Sequence, residues 1–174
     1  MGMNSKLPKD IRVVGVEFCD EKFNVNRDSK LKEYHYYFSI NEPQNALSSD
    51  IIYPYPAKLD IQKMRQACEQ IQGEHNFMSF SYPGPKPPKP YRDIFHCSIE
   101  QTSTLTLATP IYYLKIQGNG FLRHMVRYLM GAIWDIGQGE LSIDQLSKSL
   151  SDGLKHGPRT KAPALGLHLI EIVY

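Results

Sequence analysis

The segment Lys115–Gly139 constrains the fold more than any other part of this sequence. It reads KIQGNGFLRHMVRYLMGAIWDIGQG, with glycines near both ends of a stretch that has helical periodicity. Its apolar residues follow the i, i+3, i+4, i+7 spacing of one helix face: Leu122, Met125, Val126, Leu129, Met130 and Ile133. The pattern predicts a strand end, a Gly-rich turn and one long amphipathic helix packed on a hydrophobic core.

Arg123 and Arg127 lie four residues apart beside this apolar stripe. At about 100° per residue, both project from one flank of the predicted helix, near its start after Gly118-Asn119-Gly120. A helix N-terminus carries partial positive charge and free N–H groups, and arginine adds bidentate donors for phosphate or carboxylate. The pair is a candidate anion site, or else two arginines that only solvate the helix edge. Spacing alone favours the second reading.

The composition indicates a single domain, residues 1–174, in a reducing compartment. With 174 residues and 41% hydrophobic residues, the chain can bury one core. A formal net charge of +2 shows no overall preference for nucleic acid, so any basic surface must be local. Cys19, Cys68 and Cys97 form no C-x-x-C pair, which argues against a disulfide framework or a Cys-rich zinc site. The sequence has no apolar run of about 18 residues and no apolar signal region, so we expect a cytoplasmic protein without membrane contact.

Periodicity places five strands and two further helices along the chain. The expected strands are Ile11–Phe18, Lys32–Ile40, Arg92–Gln101, Pro110–Gln117 and Leu167–Tyr174, the last apolar on both faces and therefore expected to be central. The expected helices are Asp60–Gln72, with Asp60 as N-cap, and Ser142–Leu150, with a capping box from Ser142 to Gln145. Strands without regular βαβ alternation predict an α+β fold, a mainly antiparallel sheet with helices on one face.

Two side chains have both a structural and a functional interpretation. Tyr34 alternates with Tyr36 and Phe38, which is typical of core packing, but a tyrosine ring with a polar hydroxyl can also stack on a base. His75 lies in Glu74–Phe80, which we expect to be an aromatic loop. A hydrogen-bonded structural role suits this histidine better than a role as general base.

The segment Tyr82–Tyr91, YPGPKPPKPY, has five prolines in ten residues and must be extended. With Lys86, Lys89 and Arg92 it predicts a projecting basic arm. The arm is a stiff surface loop, an RNA contact, or a peptide ligand of the SH3 type. A second basic loop, Lys155–Pro163, follows later in the chain.

Several of these motifs, in this order, resemble the bacterial tRNA pseudouridine synthase A family. The most distinctive is Gly118-Asn119-Gly120-Phe121-Leu122-Arg123-His124-Met125-Val126-Arg127, followed by Gly131 and Gly137-x-Gly139. The others are Leu7-Pro8-x-Asp10-Ile11, Lys32-x-Tyr34-x-Tyr36, Gly73-Glu74-His75-Asn76-Phe77, Arg92-x-Ile94 and Ala162-Pro163-Ala164-x-Gly166-Leu167. The resemblance covers nearly the whole chain and implies the pseudouridine synthase catalytic-domain type of α+β fold.

The resemblance also implies a function, the isomerisation of uridine to pseudouridine in the tRNA anticodon arm without metal or cofactor. Family members flip the uridine into a cleft, where a nucleophilic Asp initiates cleavage of the glycosidic bond. Tyr34 matches the tyrosine that packs on the base, and Arg127 matches the arginine that pairs with the catalytic Asp. The implied RNA-binding residues are Arg123, His124, Lys86, Lys89, Arg92, His75 and Lys161. The implied partners are tRNA and a second copy of the chain in a homodimer.

Two departures from the family pattern change the expectation. The sequence contains no Gly-Arg-Thr-Asp, which is the family motif that carries the nucleophile. After Phe23 it has Asn26-Arg27 where the family pattern has Phe-His-Ala-Arg. We therefore expect the C-terminal half of such an enzyme, inactive alone because the nucleophilic Asp is absent. A free sheet edge should then favour self-association or pairing with the missing N-terminal half. The alternatives are a truncated, non-catalytic tRNA-binding module and a peptide-interaction protein centred on the Pro-rich arm.

Overall fold

A computed structural model describes residues 2–41, 48–82, 89–102, 110–153 and 160–174. Strand β1 spans Leu31–Ile40, β2 Tyr53–Tyr55, helix α1 Ile61–Ile71, β3 Gly73–Asn76, β4 Tyr91–Thr102, β5 Ile111–Gly118, α2 Met125–Gln138, α3 Ile143–Asp152 and β6 Leu167–Val173. Two single turns of 3-10 helix, Met3–Ser5 and Phe77–Phe80, complete the described elements. Much of the Pro-rich arm, including Lys86, and most of the second basic loop lie outside the described residues.

The strands form one mixed sheet in which only β1 and β2 are parallel. The order is β2-β1-β5-β4-β3, and β6 pairs antiparallel with the first half of β1, beside β2. Helices α1, α2 and α3 share one core with one face of this sheet. The α+β fold with a mainly antiparallel sheet is therefore confirmed, as are the strands predicted around residues 32–40, 92–101 and 110–117.

The alternation of side chains in β1 explains why the sheet has one apolar face. Tyr36 and Phe38 are fully buried and contact Trp134 of α2 at ring-centroid distances of 5.5 and 5.9 Å. Glu33, His35 and Tyr37 point to the opposite face, where His35 Nε2 and Glu33 Oε1 are 2.6 Å apart. The buried face carries the core, and the polar face is held together by hydrogen bonds.

Local capping signals fix two helices where the sequence predicts them. The Asp60 carboxylate accepts a hydrogen bond from the Lys63 amide at 3.1 Å and so begins α1. Ser142 and Gln145 form the predicted capping box at the start of α3. No helix in the described part of the chain is both long and apolar enough to cross a membrane.

Three predictions about elements are wrong. Residues 11–18 form no strand because no other described segment pairs with them, and Val14 and Phe18 are fully exposed. Strand β6 is not central: it pairs only with β1, and half of Leu169 is exposed to solvent. The Glu74–Phe80 segment is not a loop, since β3 pairs with β4 and a 3-10 turn follows.

The central helix begins later than the periodicity predicts. His124 has a left-handed backbone with φ of 63°, so α2 starts only at Met125. Arg123 precedes the helix, and its carbonyl accepts a hydrogen bond from the Tyr82 amide at 3.0 Å. Arg123 and Arg127 therefore do not share a helix flank, because the turn at His124 rotates Arg123 away.

Candidate functional site

Tyr34 lies on the apolar face of β1, between Ile116 of β5 and Leu169 of β6. Its ring is only partly buried and meets Phe121 edge-to-face, with centroids 5.2 Å apart. Burial raises the pKa of the Tyr34 hydroxyl, so the group stays protonated at neutral pH. The result is a fixed and partly open aromatic surface at the edge of the core.

Arg127 lies in the first turn of α2 and is fixed by the segment that precedes β6. Its Nε donates to the Ala162 carbonyl at 2.6 Å, while the Ala162 amide donates to the Arg127 carbonyl at 3.0 Å. No carboxylate of the described residues lies within 4.0 Å of this half-buried guanidinium. The bond at Nε thus orients the guanidinium of Arg127, and no carboxylate in the described part of the chain neutralises its charge.

Two glycines allow the segment around Ala162 to approach the helix and the sheet this closely. A Cβ at Gly131 would lie 1.9 Å from the Thr160 carbonyl oxygen, and a Cβ at Gly166 would lie 2.4 Å from the Tyr37 carbonyl oxygen. The Tyr36 hydroxyl donates to the Pro163 carbonyl at 2.9 Å. Burial raises the pKa of this hydroxyl, while the nearby charge of Arg127 acts in the opposite direction. Arg127 therefore lies on the side of the sheet that Tyr34 and Tyr36 face.

Arg123, Arg127 and Lys161 all lie close enough to His124 for their charges to act on its imidazole. Burial and then these three cations lower the pKa of the His124 imidazole, so the ring is neutral at pH 7. Its left-handed backbone is unusual for a residue other than glycine. Lys161 Nζ also lies 5.9 Å from the ring centroid of Tyr128. Three predicted RNA-binding residues thus lie near Arg127: Arg123 and His124 in the turn that precedes α2, and Lys161 in the segment that Ala162 holds to α2.

Tyr82 links this cluster to the Pro-rich arm. The Arg123 guanidinium carbon lies 4.8 Å from the centroid of the Tyr82 ring, and the same ring meets His124 edge-to-face at 5.6 Å. A cation over an aromatic face is held electrostatically while its outer edge stays free to donate hydrogen bonds. The first residue of the arm is therefore anchored beside the basic cluster.

The other predicted RNA-binding residues lie at the β3–β4 edge. His75 and Arg92 are cross-strand partners. His75 Nε2 and the Gln72 carbonyl oxygen are 2.8 Å apart, a hydrogen bond that fixes the ring in the structural role considered above. Arg92 Nη1 donates to the carbonyls of Lys89 and Tyr91 at 2.9 and 2.6 Å, and burial lowers the pKa of its guanidinium. Lys89 itself is exposed.

A polar pocket of about 310 Å³ extends from Phe121 past Arg92 to Arg27 and Lys32. Sequence reasoning missed this pocket, although the two-residue period of a strand puts Lys32 on the same face as Tyr34. The sequence marks Arg27 only as part of the departure from the Phe-His-Ala-Arg motif. Within the described ranges, no three His, Cys, Asp or Glu side chains are grouped where they could hold a metal ion.

One side of the sheet thus carries a partly open aromatic ring and a held guanidinium that has no acid partner in the described ranges, and further cations lie near this guanidinium. An aromatic surface accepts a flat base, and fixed cations accept phosphate or carboxylate groups. Such a set suits an anionic ligand that carries aromatic rings.

Comparisons with known proteins identify one family. A family model described as tRNA pseudouridine synthase matches residues 67–174. The chain is 37% identical over 176 residues to tRNA pseudouridine synthase A 2 of Desulfotalea psychrophila, an alignment that covers 99% of this chain and 67% of that protein. It is 33% identical to tRNA pseudouridine synthase A of Acinetobacter baumannii, covering 100% of this chain and 63% of that protein. The corresponding protein of Oceanobacillus iheyensis is 34% identical, with 99% and 66% covered. The chain thus spans about two thirds of the length of these relatives.

Proposed function

Since this chain belongs to the tRNA pseudouridine synthase family, we propose that it binds tRNA and positions a uridine of the anticodon arm for isomerisation to pseudouridine. One observation carries the proposal. Arg127 is half-buried, fixed at Nε by Ala162, and has no carboxylate partner among the described residues. An uncompensated charge in such a place is costly unless an anion pairs with it in the working enzyme.

Tyr34 supports the proposal as the surface that receives the uracil ring. A base that leaves its helical stack loses stacking energy, and an aromatic side chain replaces part of it. Contact with Phe121 holds the Tyr34 ring in one orientation. The raised pKa keeps its hydroxyl neutral, so no negative charge opposes the approach of an RNA strand.

Arg127 would hold the nucleophilic carboxylate ionised and oriented, because a neighbouring guanidinium favours the charged form of an acid. The carboxylate initiates cleavage of the bond between the ribose C1′ and the uracil N1. The uracil then rotates and is reattached through C5, which releases the C5 proton while N1 gains one. Atoms balance without an external reactant.

The remaining basic side chains would contact phosphates, and such contacts fix the position of an RNA without reading its sequence. They are Arg123, His124, Lys161, Lys89 and Arg92. His75 would lie beside them at the same sheet edge, and Lys86 belongs to this proposed set by sequence alone. We further propose that the active protein is a cytoplasmic homodimer, so that one tRNA is held by both copies.

The test follows tritium released from tRNA labelled at uridine C5. The sequence contains no Gly-Arg-Thr-Asp, so a polypeptide of these 174 residues should bind tRNA and release no tritium. Addition of a family N-terminal half that contains this motif should restore release. In the restored reaction, Arg127→Lys should lower the rate by about 100-fold, because lysine cannot form the bidentate pair. Arg65→Lys is the matched control, since Arg65 Nε also donates to a backbone carbonyl, that of Ile99, but lies on α1.

Each result separates the alternatives. Binding without release, even after the N-terminal half is added, would favour the non-catalytic tRNA-binding module. Release by the 174-residue polypeptide alone would show that one of its own carboxylates is the nucleophile, with Asp93 and Asp135 the first to be replaced.

A further inference from the structure

The pocket beside Phe121 has a lining whose charged groups can all donate hydrogen bonds to anions. Its charged side chains are Arg27, Lys32 and Arg92, and no Asp or Glu lines it. Asn119 adds an amide to the lining: its Oδ1 accepts from the Asp93 amide at 3.2 Å, and its Nδ2 is a donor group. A cavity with ammonium, guanidinium and amide donors selects a ligand rich in acceptor oxygens.

The positive charge of this pocket is only partly neutralised. Arg27 Nε lies 2.6 Å from Asp28 Oδ1, so one cation of the three already has its counter-ion. In the described ranges Lys32 has no ion pair, and the hydrogen bonds of Arg92 go to backbone carbonyls. Three cations and one adjacent carboxylate leave an excess of two positive charges beside the site proposed above.

The position of the pocket relative to Tyr34 fits a single RNA strand. Lys32 and Tyr34 are two residues apart on one face of β1, a separation of about 7 Å. Phe121 contacts the Tyr34 ring on one side and lines the pocket on the other. A nucleotide whose base packs on Tyr34 would therefore place a neighbouring phosphate within reach of Lys32.

We propose that the pocket formed by Arg27, Lys32 and Arg92 binds one backbone phosphate of the RNA strand, next to the nucleotide whose base packs on Tyr34. This inference rests on the proposed function and deepens it. The phosphate contact fixes where the strand enters the site, so the base can leave the stack while its backbone stays held.

The experiment removes one negative charge from the RNA, and separately one positive charge from the protein, and compares the effects on binding. An anticodon-arm RNA is prepared as a series in which each phosphate in turn is a neutral methylphosphonate, and its affinity for the 174-residue chain is measured by fluorescence anisotropy. One substituted position should weaken binding to the unaltered chain by about tenfold, the loss expected for a charge-assisted hydrogen bond. Lys32→Ala should weaken binding to the unmodified RNA by a similar factor and reduce the further loss at that one position, since Arg27 and Arg92 stay in the pocket.

Two further variants show whether the effect of Lys32→Ala is specific to the pocket. Lys148→Ala removes an equal charge from an exposed site on α3 and should keep the full position-dependent loss. Arg27→Ala should reproduce Lys32→Ala in part, since Asp28 already holds two of its nitrogens. The slope of log affinity against log salt should fall by about 0.7 for Lys32→Ala, as expected for one lost phosphate contact with a single strand.

The outcomes that overturn the proposal are distinct from failure of the proposed function. If Lys32→Ala remains fully sensitive to every methylphosphonate, the pocket does not bind the strand although the protein still binds tRNA. If inorganic phosphate shifts the Gly120 amide resonance as RNA does, and no position is sensitive, the pocket binds free phosphate instead. Failure of the unaltered chain to bind the unmodified arm would overturn the proposed function and this inference together.

Discussion

A single glycine decides whether Arg127 can be held at the site. Gly131 lies one turn beyond Arg127 on α2, and the Thr160 carbonyl occupies the space where a Cβ would lie. Replacement by alanine forces backbone atoms apart, and the Arg127–Ala162 hydrogen bonds are then lost. Gly131→Ala should lower the free energy of unfolding by about 2–4 kcal/mol, measured by urea denaturation. Gly15→Ala, where nothing lies within 4 Å of the added Cβ, should change it by less than about 0.5 kcal/mol. Equal midpoints for the two variants would contradict this account.

Glu33, on the polar face of the sheet, makes the stability of the fold depend on pH. Burial alone would raise the pKa of its carboxyl group, but hydrogen bonds from Gln117 and His35 and the charge of Lys115 outweigh burial and lower it. Because the folded pKa lies below the unfolded value of about 4.3, this stabilisation is present above that pH. It is lost as the pH falls through the folded pKa.

The corresponding measurement is urea unfolding of Glu33→Gln and the unaltered protein between pH 7 and 3. The variant should be less stable at neutral pH, and the difference should narrow as the solution is acidified below about pH 4. Glu69→Gln removes an exposed carboxylate on α1, outside this network, and serves as the control. A difference that stays constant with pH would show that the carboxylate of Glu33 is not the group responsible.

Among the elements, helix α3 depends on its cap. Ser142 Oγ accepts from the Gln145 amide at 3.2 Å, and Gln145 Oε1 accepts from the Ser142 amide at 2.9 Å. Ser142→Ala should cost about 1 kcal/mol, a fall of about 2–4 °C in the melting temperature of a domain this size. Ser142→Asp keeps an acceptor at the cap and should melt close to the unaltered protein. Loss of stability in both variants would point to packing rather than capping.

Elements with local signals were predictable, and elements that depend on distant partners were not. The caps at Asp60 and Ser142 involve residues within three positions, so their patterns identify the helix starts. Residues 11–18 have the composition of a strand, but a strand forms only where another pairs with it. The late start of α2 was hidden because His124 takes its left-handed backbone in contact with Tyr82, forty-two residues away.

The same division holds for the site. Tyr34 and Arg127 belong to short motifs, so the resemblance was enough to propose a role for each of them. The contact of Arg127 with Ala162 spans 35 residues and was not predictable. The phosphate pocket joins Arg27, Lys32 and Arg92 from three separate segments, and no local pattern marks it.

For the whole molecule, the outer edge of β6 is its most consequential surface. Within the described chain no strand pairs with that edge, and about half of Leu169 and of Ile170 is exposed. Unpaired strand edges recruit other strands, so we expect average mass in light scattering to rise with protein concentration. Ile170→Lys should reduce the rise, because a charged edge disfavours pairing. Phe95→Lys removes a similarly exposed apolar residue from β4 and should leave it unchanged. A monodisperse monomer at high concentration would contradict the expectation.

Trp134 is the only tryptophan of the sequence, and its place in the core gives the protein a built-in optical reporter. The indole is 1% exposed, and its Nε1 has no hydrogen-bond partner among the described residues. Its ring centroid lies 5.5 Å from Tyr36, 5.4 Å from Tyr53 and 4.6 Å from Tyr55. Its fluorescence emission should therefore lie at short wavelength. Excitation of these tyrosines should add to this emission by energy transfer to Trp134. Separation of α2 from β1 and β2 would shift the emission to the red and end the transfer, so each substitution above can be followed at the core without an added label.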